Sequence, residues 1–480
     1  MLTAAVLVRR YLPDLRGTTA RAADAADRDA VPEALERAQR TQPRCSKLQD
    51  LPASLRIEGG HMNATPTARG TGVTDVVIVG AGPTGLTAAV RLAQLGVGYL
   101  IVDASEAPTQ TSKAALVHAS TLELLAELGA GDELVAAGRE VHRIVMVDRT
   151  KVLARVELTD IPSKYPFALG VPQSTTEEVL LRRLASLGGS VRRGHRVDSL
   201  RETGDGYLVT GTMETASGSS PLEIKARYVI GADGSRSAVR SAIGLDFPGE
   251  TYPSQFVLAD VGLTSEPCAD DEAAINMSAQ GVTVIGRLPS GNYRIIATVD
   301  SESEVPEAPG KSYLDDILRE RGIGVQLASA PAWSSRFRVH HRVTDKFRVG
   351  GVFLAGDAAH VHSPAAGQGM NTGIADAYDL ATRLAAVLTG EADASLLDGY
   401  EQDRRAAALE VLRFTDRMTR MAMLSNPVAR SVRRVAAGTI GRVGPIRHPI
   451  TMWITGLKRS PLRHNLPTVA IREGKPQTSN

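Results

Sequence analysis

The sequence predicts an α/β protein in which a Rossmann-like nucleotide-binding fold is interrupted by a β-rich segment and followed by a C-terminal helical segment. Residues 75–103 have the order strand, glycine-rich turn, helix and strand, which is typical of a dinucleotide-binding unit. From residue 247 to residue 300, apolar and polar residues alternate between turns, which is typical of antiparallel strands. A helical pattern then runs from Gly369 to about Leu388, and a second begins near Ser395.

The glycine-rich turn contains Gly80, Gly82 and Gly85 at G-x-G-x-x-G spacing, directly after the apolar strand 76–79. Gly80 allows a tight turn, Gly82 lets a pyrophosphate approach the backbone, and Gly85 lets the following helix pack on the strand. The N-terminus of that helix offers unpaired N–H groups and a partial positive charge to phosphates. The turn therefore predicts a bound dinucleotide, and a purely structural glycine turn is the alternative.

An acidic residue supports the dinucleotide interpretation. Asp103 follows the second apolar strand, residues 99–102, and lies 18 residues after Gly85. A carboxylate at this place accepts hydrogen bonds from an adenosine ribose, and it favours a ribose without a phosphate group. The unit by itself is therefore compatible with either FAD or NAD.

The composition is that of a globular protein with a large core. The chain has 480 residues, 43% hydrophobic and 22% charged, which is enough for two or three domains. The net charge of +2 gives no reason to expect nucleic acid as a partner. No apolar run reaches the roughly 18 residues of a membrane-spanning helix. Cys45 and Cys268 show neither metal-ligand spacing nor a disulfide framework, so we expect a cytoplasmic protein.

Residues 1–71 differ from the rest of the chain, and we expect them to be a disordered extension. Residues 18–44 are rich in Ala, Arg, Asp and Glu and have almost no large apolar side chains. Residues 58–62, EGGHM, read like a translated ribosome-binding site followed by a start codon. We therefore hypothesise that Met62 is the natural start, and a flexible N-terminal extension is the alternative.

Two further segments combine a strand end with glycines. In residues 351–371, GVFLAGDAAHVHSPAAGQGMN, a strand leads to Gly356 and Asp357, and the loop that follows enters a helix. Glycines in front of a helix let backbone N–H groups point at an acceptor. In residues 231–235, GADGS, Asp233 comes directly after another strand. Each of these segments alone is a common strand-to-turn junction and predicts little.

In this order, the three segments resemble those of the FAD-dependent aromatic hydroxylases of the 4-hydroxybenzoate hydroxylase and phenol hydroxylase group. The resemblance extends from about residue 74 to residue 405. It includes smaller matches at residues 112–123, at Gln173 before a helix, and at residues 400–405 after the long helix. It implies that the dinucleotide is FAD and that the protein is a class A flavoprotein monooxygenase.

The resemblance also implies how the nucleotide-binding and β-rich parts alternate along the chain. It makes the nucleotide-binding part a Rossmann-like FAD-binding fold, and it makes the β-rich part a substrate domain. The predicted limits are 1–71 for the extension, 72–143, 166–247 and 344–398 for the FAD-binding parts, 144–165 for a substrate-domain hairpin, 248–343 for the β-rich substrate domain, and 399–480 for the C-terminal helical region.

The resemblance assigns most of the glycine-rich residues to FAD binding. The first glycine turn would hold the pyrophosphate, Asp103 the adenosine ribose, and Asp357 the ribityl or pyrophosphate region. The start of the long helix would face the pyrimidine edge of the flavin, where its partial positive charge stabilises the reduced ring. The predicted FAD-binding residues are Gly80, Gly82, Pro83, Thr84, Gly85, Asp103, Lys113, Gln173, Asp233, Gly356, Asp357, Pro364, Gly367, Gln368, Gly369, Met370 and Asn371.

Some of these assignments concern the flavin ring and the nicotinamide. The resemblance implies that Gln173 lies beside the flavin or its ribityl chain and that Pro364 lies next to the ring. Asp233 would serve FAD and nicotinamide binding through a structural network. Lys113 and Ser120 stand where arginines are frequent in the family. The choice between NADH and NADPH therefore stays open.

The reaction that the resemblance implies is aromatic hydroxylation. NAD(P)H, as a transient co-substrate, reduces the flavin, O2 adds to it, and the flavin hydroperoxide delivers one oxygen atom to a small phenolic or polycyclic aromatic substrate. A base or hydrogen-bond acceptor is expected near the substrate hydroxyl, but the sequence does not identify this catalytic residue. The substrate candidates, each of which also fits an ordinary sheet residue, are Tyr252, Gln255, Asn276, Tyr293 and Arg294.

Other functions stay open at this point. A flavin-dependent reductase or halogenase on the same scaffold is one alternative, although Trp333 and Trp453 are isolated and form no Trp-x-Trp motif. A flavin-binding protein that carries an aromatic ligand without turnover is another. His360 and His362 have no third ligand nearby in the sequence, which favours loop packing over a metal site. The basic tail after Arg404 is compatible with a lipid contact, a solvated helix, or an oligomer contact such as a homodimer.

Overall fold

The structure is a computed structural model that describes residues 72–108, 114–215, 218–299, 304–364, 367–422, 444–463, 466–467 and 469–471. The expectations for the extension 1–71 and for Lys113 therefore lie outside the described residues, as does the part of the basic tail at 423–443.

Strands and helices alternate along the described chain. The strands are β1 (Val73–Val79), β2 (Tyr99–Val102), β3 (Leu116–Val117), β4 (Arg139–Val141), β5 (Arg143–Asp148), β6 (Lys151–Glu157), β7 (Ala168–Gly170), β8 (Val191–Arg192), β9 (His195–Thr203), β10 (Gly206–Thr215), β11 (Gly218–Gly231), β12 (Gly249–Val261), β13 (Glu272–Ser278), β14 (Gly281–Arg287), β15 (Tyr293–Val299), β16 (Trp333–Val343), β17 (Arg348–Val349), β18 (Val352–Leu354) and β19 (His360–Val361). The helices are α1 (Pro83–Gln94), α2 (Ala119–Glu127), α3 (Gly131–Ala137), α4 (Gln173–Ser186), α5 (Ala238–Ala242), α6 (Lys311–Glu320), α7 (Gly369–Leu388), α8 (Asp398–Ala422) and α9 (Gly444–Ile454).

The first glycine turn lies at one edge of a sheet with the strand order β17-β18-β11-β1-β2-β8, in which β10 also pairs with β11 and β9 with β10. The strands β18, β11, β1, β2 and β8 run parallel to one another. Val76, Val77 and Ile78 of β1 are fully buried, as expected for a parallel strand that is covered on both faces. This topology confirms the predicted Rossmann-like α/β fold.

The β-rich part forms a second sheet with the order β19-β16-β12-β15-β14-β13-β5-β6. Its strands from β12 to β15 come from the predicted β-rich segment, and the predicted hairpin provides β5 and β6. β5 pairs with β13 in parallel, far from it in sequence. The Arg143 guanidinium holds this junction together through an ion pair with Asp271, with 2.6 Å between Nη2 and Oδ2.

The alternation of side chains gives the second sheet two different faces. On one face, Val257 of β12 and Ile295 of β15 pack with Leu318 of α6. On the other face, Ile144 of β5 packs with Val411 of α8. We call these the α6 face and the α8 face.

The helix α8 connects the two sheets. Its Tyr400 hydroxyl donates a hydrogen bond to the carbonyl oxygen of Leu354 at the end of β18, at 2.7 Å. Near the other end of α8, Phe414 stacks on Trp453 of α9, with ring centroids 3.4 Å apart. The predicted C-terminal helical segment is therefore present and packs on both sheets. Among the helices that the structure describes, none combines the length and the apolar character that a membrane crossing requires.

We predict that Tyr400→Phe lowers the free energy of unfolding by about 1–2 kcal/mol, because it leaves a buried carbonyl group without its donor. The measurement is denaturant unfolding followed by circular dichroism. Tyr228→Phe, on the neighbouring strand β11, is the matched control, and we expect it to stay within about 0.5 kcal/mol of the wild type. Equal losses in both variants would contradict the assigned role of the Tyr400 hydroxyl.

Candidate active site

Glycine is needed at the three positions of the first turn for different physical reasons. Gly80 has a φ of +101°, and a Cβ there would overlap the carbonyl oxygen of Ala232. A Cβ at Gly85 would overlap the carbonyl oxygen of Gly80. Gly82, the residue before α1, has a φ of −75° and no protein atom within 4 Å of an added Cβ. The protein itself requires glycine at the first two positions, whereas at Gly82 the space is open for a ligand.

Asp103 lies at the end of β2 and fastens the glycine turn to it. Its Oδ2 accepts a hydrogen bond from the backbone N–H of Ala81 at 2.6 Å, and its Oδ1 accepts one from Ser105 at 2.8 Å. The Arg193 guanidinium lies 3.5 Å from Oδ1. A carboxylate has about four acceptor positions, so ribose hydroxyls can still donate to it.

Gln173 begins α4 and belongs to the same polar region. Its Nε2 donates to Oε1 of Glu177, one turn later, at 2.9 Å. Burial raises the pKa of Glu177, while the hydrogen bond from Gln173 and the charge of Arg193 lower it. Sequence reasoning missed Glu177 and Arg193, although the four-residue spacing from Gln173 to Glu177 is a usable signal for a helical pair.

The ends of three neighbouring parallel strands bring the three glycine-containing segments together. In the sheet, β18, β11 and β1 are adjacent, and each runs into one of the segments. The N–H of Ala232 donates to Val79 at 2.8 Å, and the N–H of Ala355 donates to Gly231 at 3.0 Å. The carboxyl edge of a parallel sheet is where α/β folds place their ligands.

Asp233 has one satisfied and one unsatisfied oxygen. Its Oδ2 accepts hydrogen bonds from the N–H groups of Ala238 at 2.7 Å and Val239 at 3.2 Å. Its Oδ1 is buried and has no hydrogen-bond partner among the described residues. Burial raises the pKa of Asp233. A buried acceptor without a donor indicates that a ligand group completes the site.

A buried carboxylate holds the second glycine-containing segment in place. Asp376 of α7 accepts hydrogen bonds from His360 Nε2 at 2.7 Å, from Arg404 Nε at 2.8 Å and from the N–H of Gly356 at 3.2 Å. Burial alone would raise the pKa of Asp376, but Arg404 and His360 outweigh it and the pKa is lowered. Asp357, next to Gly356, is exposed at the sheet edge among buried neighbours.

His360 and His362 were considered as metal ligands in the sequence, and the structure shows the contacts that they make. His360 is paired with Asp376, and His362 Nδ1 lies 3.0 Å from the carbonyl oxygen of Ser363. Among the described residues, no group of three or more His, Cys, Asp or Glu side chains is placed to hold a metal ion. Sequence reasoning missed Asp376, although an acid within the apolar run 374–377 of a helix is a signal for a buried partner.

The start of α7 is anchored by its own side chains. Asn371 Oδ1 accepts a hydrogen bond from the N–H of His118 at 2.9 Å, and its Nδ2 donates to the carbonyl oxygen of Gly367 at 2.7 Å. The N–H of Gly367 donates to the carbonyl oxygen of Pro364 at 2.9 Å. A Cβ at Gly369 would meet no protein atom within 4 Å. The predicted segment 367–371 therefore presents a helix N-terminus next to open space.

Gly356 and α7 meet the first glycine segment through Thr84. A Cβ at Gly356 or at Gly373 would overlap the Thr84 hydroxyl oxygen. Pro83, before it, is the first residue of α1, where the missing N–H of proline costs no helix hydrogen bond. Of the predicted FAD-binding residues in the described chain, the first glycine turn, Asp103, Asp233, Gly356 and Asp357 follow strands of the first sheet, Gln173 begins α4, and Pro364 and the segment 367–371 lie in the loop before α7 and at its start.

Two of the five substrate candidates point toward the nucleotide-binding part or α8. Arg294 forms a two-fold ion pair with Asp260, with both N···O distances 2.7 Å, and its Nη1 donates to the carbonyl oxygen of Ala114 at 3.0 Å. Tyr252 donates to Oδ1 of Asp416 on α8 at 2.7 Å. Burial, followed by this hydrogen bond, raises the pKa of Tyr252.

The other three candidates lie on the α6 face, on the opposite side of the sheet from α8. Tyr293 belongs to the cluster that packs on α6. Gln255 opposes Val299, which packs on that cluster, and Asn276 opposes Thr283, which accepts a hydrogen bond from the arginine after α6. Directly opposed residues share a face of a sheet. Successive residues of a strand point to opposite faces of the sheet. The face of each candidate therefore depends on the strand register, which the sequence alone did not reveal.

Comparison with known proteins reveals a family and several relatives. A family model described as an FAD binding domain matches residues 73–415. A 6-methylpretetramide 4-monooxygenase of Streptomyces rimosus is 35% identical over 390 residues, which cover 80% of this chain and 69% of that protein. A pentachlorophenol 4-monooxygenase of Sphingobium chlorophenolicum is 33% identical over 362 residues, which cover 72% of this chain and 65% of that protein.

Solved structures show the same likeness. An anhydrotetracycline hydroxylase from Streptomyces rimosus superimposes with a TM-score of 0.67 at 31% sequence identity. The match covers 82% of this chain and 77% of the other.

We predict that Gly82→Ala leaves the fold intact and weakens FAD binding at least tenfold, about 1.4 kcal/mol, because the added methyl group occupies only the open space at the glycine turn. The measurements are circular dichroism of the protein and titration of the FAD-free form with FAD. Gly310→Ala is the matched control, because Gly310 also precedes a helix, has a φ of −83° and has open space around it. Wild-type FAD affinity in Gly82→Ala would contradict the site.

We also predict that Asp376→Asn lowers the free energy of unfolding at pH 7 by about 3–5 kcal/mol, because Arg404 is left buried without its carboxylate. The lowered pKa of Asp376 stabilises the protein above the unfolded-state value of about 3.9, and this contribution is lost as the pH falls through the folded-state pKa. The difference between variant and wild type should therefore shrink below about pH 4.

The measurement for Asp376 is denaturant unfolding of both proteins between pH 7 and pH 3. Asp398→Asn is the control, because Asp398 forms an exposed ion pair with Arg348, and we expect a change within about 1 kcal/mol. A pH-independent difference between Asp376→Asn and the wild type would contradict the assigned charge.

Proposed function

The chain belongs to the family of FAD-dependent aromatic monooxygenases, and from this we propose that it hydroxylates a phenolic or polycyclic aromatic compound, with NAD(P)H and O2 as co-substrates. The observation that carries the proposal is the meeting of three glycine-containing segments at the ends of β1, β11 and β18. We also propose that the domain limits predicted from the sequence apply. The cytoplasmic location and the homodimer stay predictions.

Two features of the site fit FAD. The space at Gly82 is open, and the buried Oδ1 of Asp233 lacks a donor among the described residues. We propose that the α1 start and Asp103 hold the adenosine half, while the segment 367–371 faces the flavin. When bound, FAD supplies the redox chemistry, since it takes up a hydride from NAD(P)H and reacts with O2.

The residues of the chain orient and stabilise this chemistry. The N–H groups at the start of α7 place partial positive charge where negative charge develops on a reduced flavin. Asn371 and Asp376 keep that helix start and Gly356 in a fixed relation, so these groups need no rearrangement during the reaction. The proposal gives Asp376 and Arg404 positioning roles, because their side chains contact protein groups.

The α8 face of the second sheet suits an aromatic substrate. Ile275 and Met277 of β13 pack with the side chains of β5 and β6 on this face, and Phe256 stacks on Phe337 with centroids 5.6 Å apart. Flat apolar compounds gain the most from burial against such a surface. The relatives named for pentachlorophenol, 6-methylpretetramide and anhydrotetracycline support the same substrate class.

The test is a screen of phenols and polycyclic aromatic compounds for faster oxidation of NADH or NADPH by the FAD-loaded protein. Reactions run under 18O2 are then examined by mass spectrometry. We expect a compound that speeds NAD(P)H oxidation and gains one labelled oxygen atom. Gly310→Ala should behave like the wild type, and Gly82→Ala should lose activity unless FAD is in large excess.

Other outcomes would overturn the proposal. A product that gains hydrogen or halogen without labelled oxygen would indicate a flavin-dependent reductase or halogenase on the same scaffold. A compound that binds the yellow protein tightly but leaves NAD(P)H oxidation unchanged would indicate a flavin-binding carrier or sensor. Peroxide formation with an unchanged compound would exclude hydroxylation of that compound.

A further inference from the structure

A small polar pocket, partly open to solvent, lies behind the start of α7 between α2, α7, α8 and the segment 456–461. Its lining includes Ser120, Gln368, Thr372, Arg404, Arg459 and Ser460. Its volume of about 20 Å³ is enough for a single water-sized or halide-sized occupant.

This pocket is on a different face of α7 from the proposed FAD site. Thr372 and Ala375 line the pocket, whereas Gly373, between them, packs against Thr84 beside the first glycine segment. Successive residues of an α-helix are separated by about 100°, so Gly373 and Ala375 point in nearly opposite directions. An occupant of the pocket is therefore separated from the FAD site by the helix itself.

Two buried guanidinium groups line the pocket, and their charges are unequally compensated. Arg404 donates to Asp376, which also accepts from His360. The Arg459 side chain is 8% exposed, and within the described chain its Nη2 donates to neutral acceptors, the side-chain oxygen of Gln368 at 3.3 Å and the carbonyl oxygen of Trp453 at 3.2 Å. The guanidinium also lies over the Trp453 ring, 3.9 Å from its centroid. A buried charge without a hydrogen-bonded counter-ion is costly.

Glu410 gives Arg459 only a partial counter-charge. Nη1 of Arg459 makes no hydrogen bond within the described part of the chain, and Oε1 of Glu410 is 3.8 Å away. This oxygen instead accepts a hydrogen bond from Trp453 Nε1 at 2.7 Å and lies 4.0 Å from the exposed Lys458 ammonium. Burial lowers the pKa of Arg459 to about 10, with Glu410 opposing this effect and Arg404 adding to it.

A second unsatisfied group lines the same pocket. The hydroxyl oxygen of Ser460 is buried and has no hydrogen-bond partner among the described residues. Arg459 Nη1 can only donate, and a serine hydroxyl can donate as well. Two donors beside one cavity favour an occupant that accepts hydrogen bonds, and the partly compensated guanidinium favours a negatively charged one.

We propose that this pocket binds a small inorganic monoanion of about the size of chloride, which accepts hydrogen bonds from Arg459 Nη1 and Ser460 Oγ. The ion would compensate the charge of Arg459 and tie the segment 456–461 to Gln368, the residue before α7. Gln368 and Asn371 border both this pocket and the proposed FAD-binding segment, so the test below uses readouts that do not depend on the proposed reaction.

The test compares thermal unfolding of the purified protein in sodium chloride and in sodium gluconate at equal ionic strength, since gluconate is too large for the pocket. We expect a saturable rise in Tm, on the order of 2 °C, with chloride alone. Arg459→Met should abolish the rise, and Ser460→Ala should weaken the apparent chloride affinity about tenfold. Lys458→Met is the matched control, because it removes the same charge from an exposed neighbour, and it should keep the response.

Crystals grown in sodium bromide give a direct measurement, since bromide replaces chloride and scatters anomalously. We expect a bromide peak between Arg459 and Ser460. A pocket that holds water instead, equal stabilisation by gluconate, or an unchanged chloride response in Ser460→Ala would overturn the proposal. If Arg459→Met does not fold, Ser460→Ala and the bromide crystals still decide. None of these readouts depends on turnover, so the loss of the proposed activity and the loss of the anion site are distinguishable.

Discussion

The buried carboxylate of Asp376 is the interaction on which the arrangement of the site depends. It joins Gly356 at the end of β18, His360 in the loop that follows, and Arg404 on α8 to the middle of α7. Four separate parts of the chain thus share one charge that has no access to water. Such a network is stable only when all its members are present, so it fixes the distance between the sheet edge and the start of α7.

Local sequence patterns were sufficient to predict the local structure of the nucleotide-binding part. The spacing of Gly80, Gly82 and Gly85 and the position of Asp103 follow from steric and hydrogen-bond requirements within one short unit. The structure places these residues in the strand, turn and helix that the pattern predicts. It adds that, of the three glycines, only Gly82 could carry a Cβ without meeting a protein atom. Alternation also predicted the second sheet, because antiparallel strands that are covered on one face repeat every two residues.

Interactions between residues that are far apart in the chain could not be predicted from the sequence. Asp376 and Arg404 are 28 positions apart, and no local pattern couples them. The substrate candidates illustrate a related point. Tyr293 and Arg294 are neighbours in the chain but lie on opposite faces, and the choice of face depends on packing against α6, which a single strand does not encode. The partly compensated charge of Arg459 likewise becomes visible only when the burial of all its neighbours is known.

The parallel pairing of β5 with β13 has a consequence for protein synthesis. The last residue of β13, Ser278, leaves the ribosome 130 residues after Asp148 of β5, a delay of roughly 7–26 s at 5–20 residues per second. During that interval one edge of the β5–β6 hairpin has no partner strand, and an unpaired edge is a template for association with other chains. The nascent hairpin therefore exposes an open edge to other chains for longer than a hairpin whose neighbouring strand follows directly in sequence.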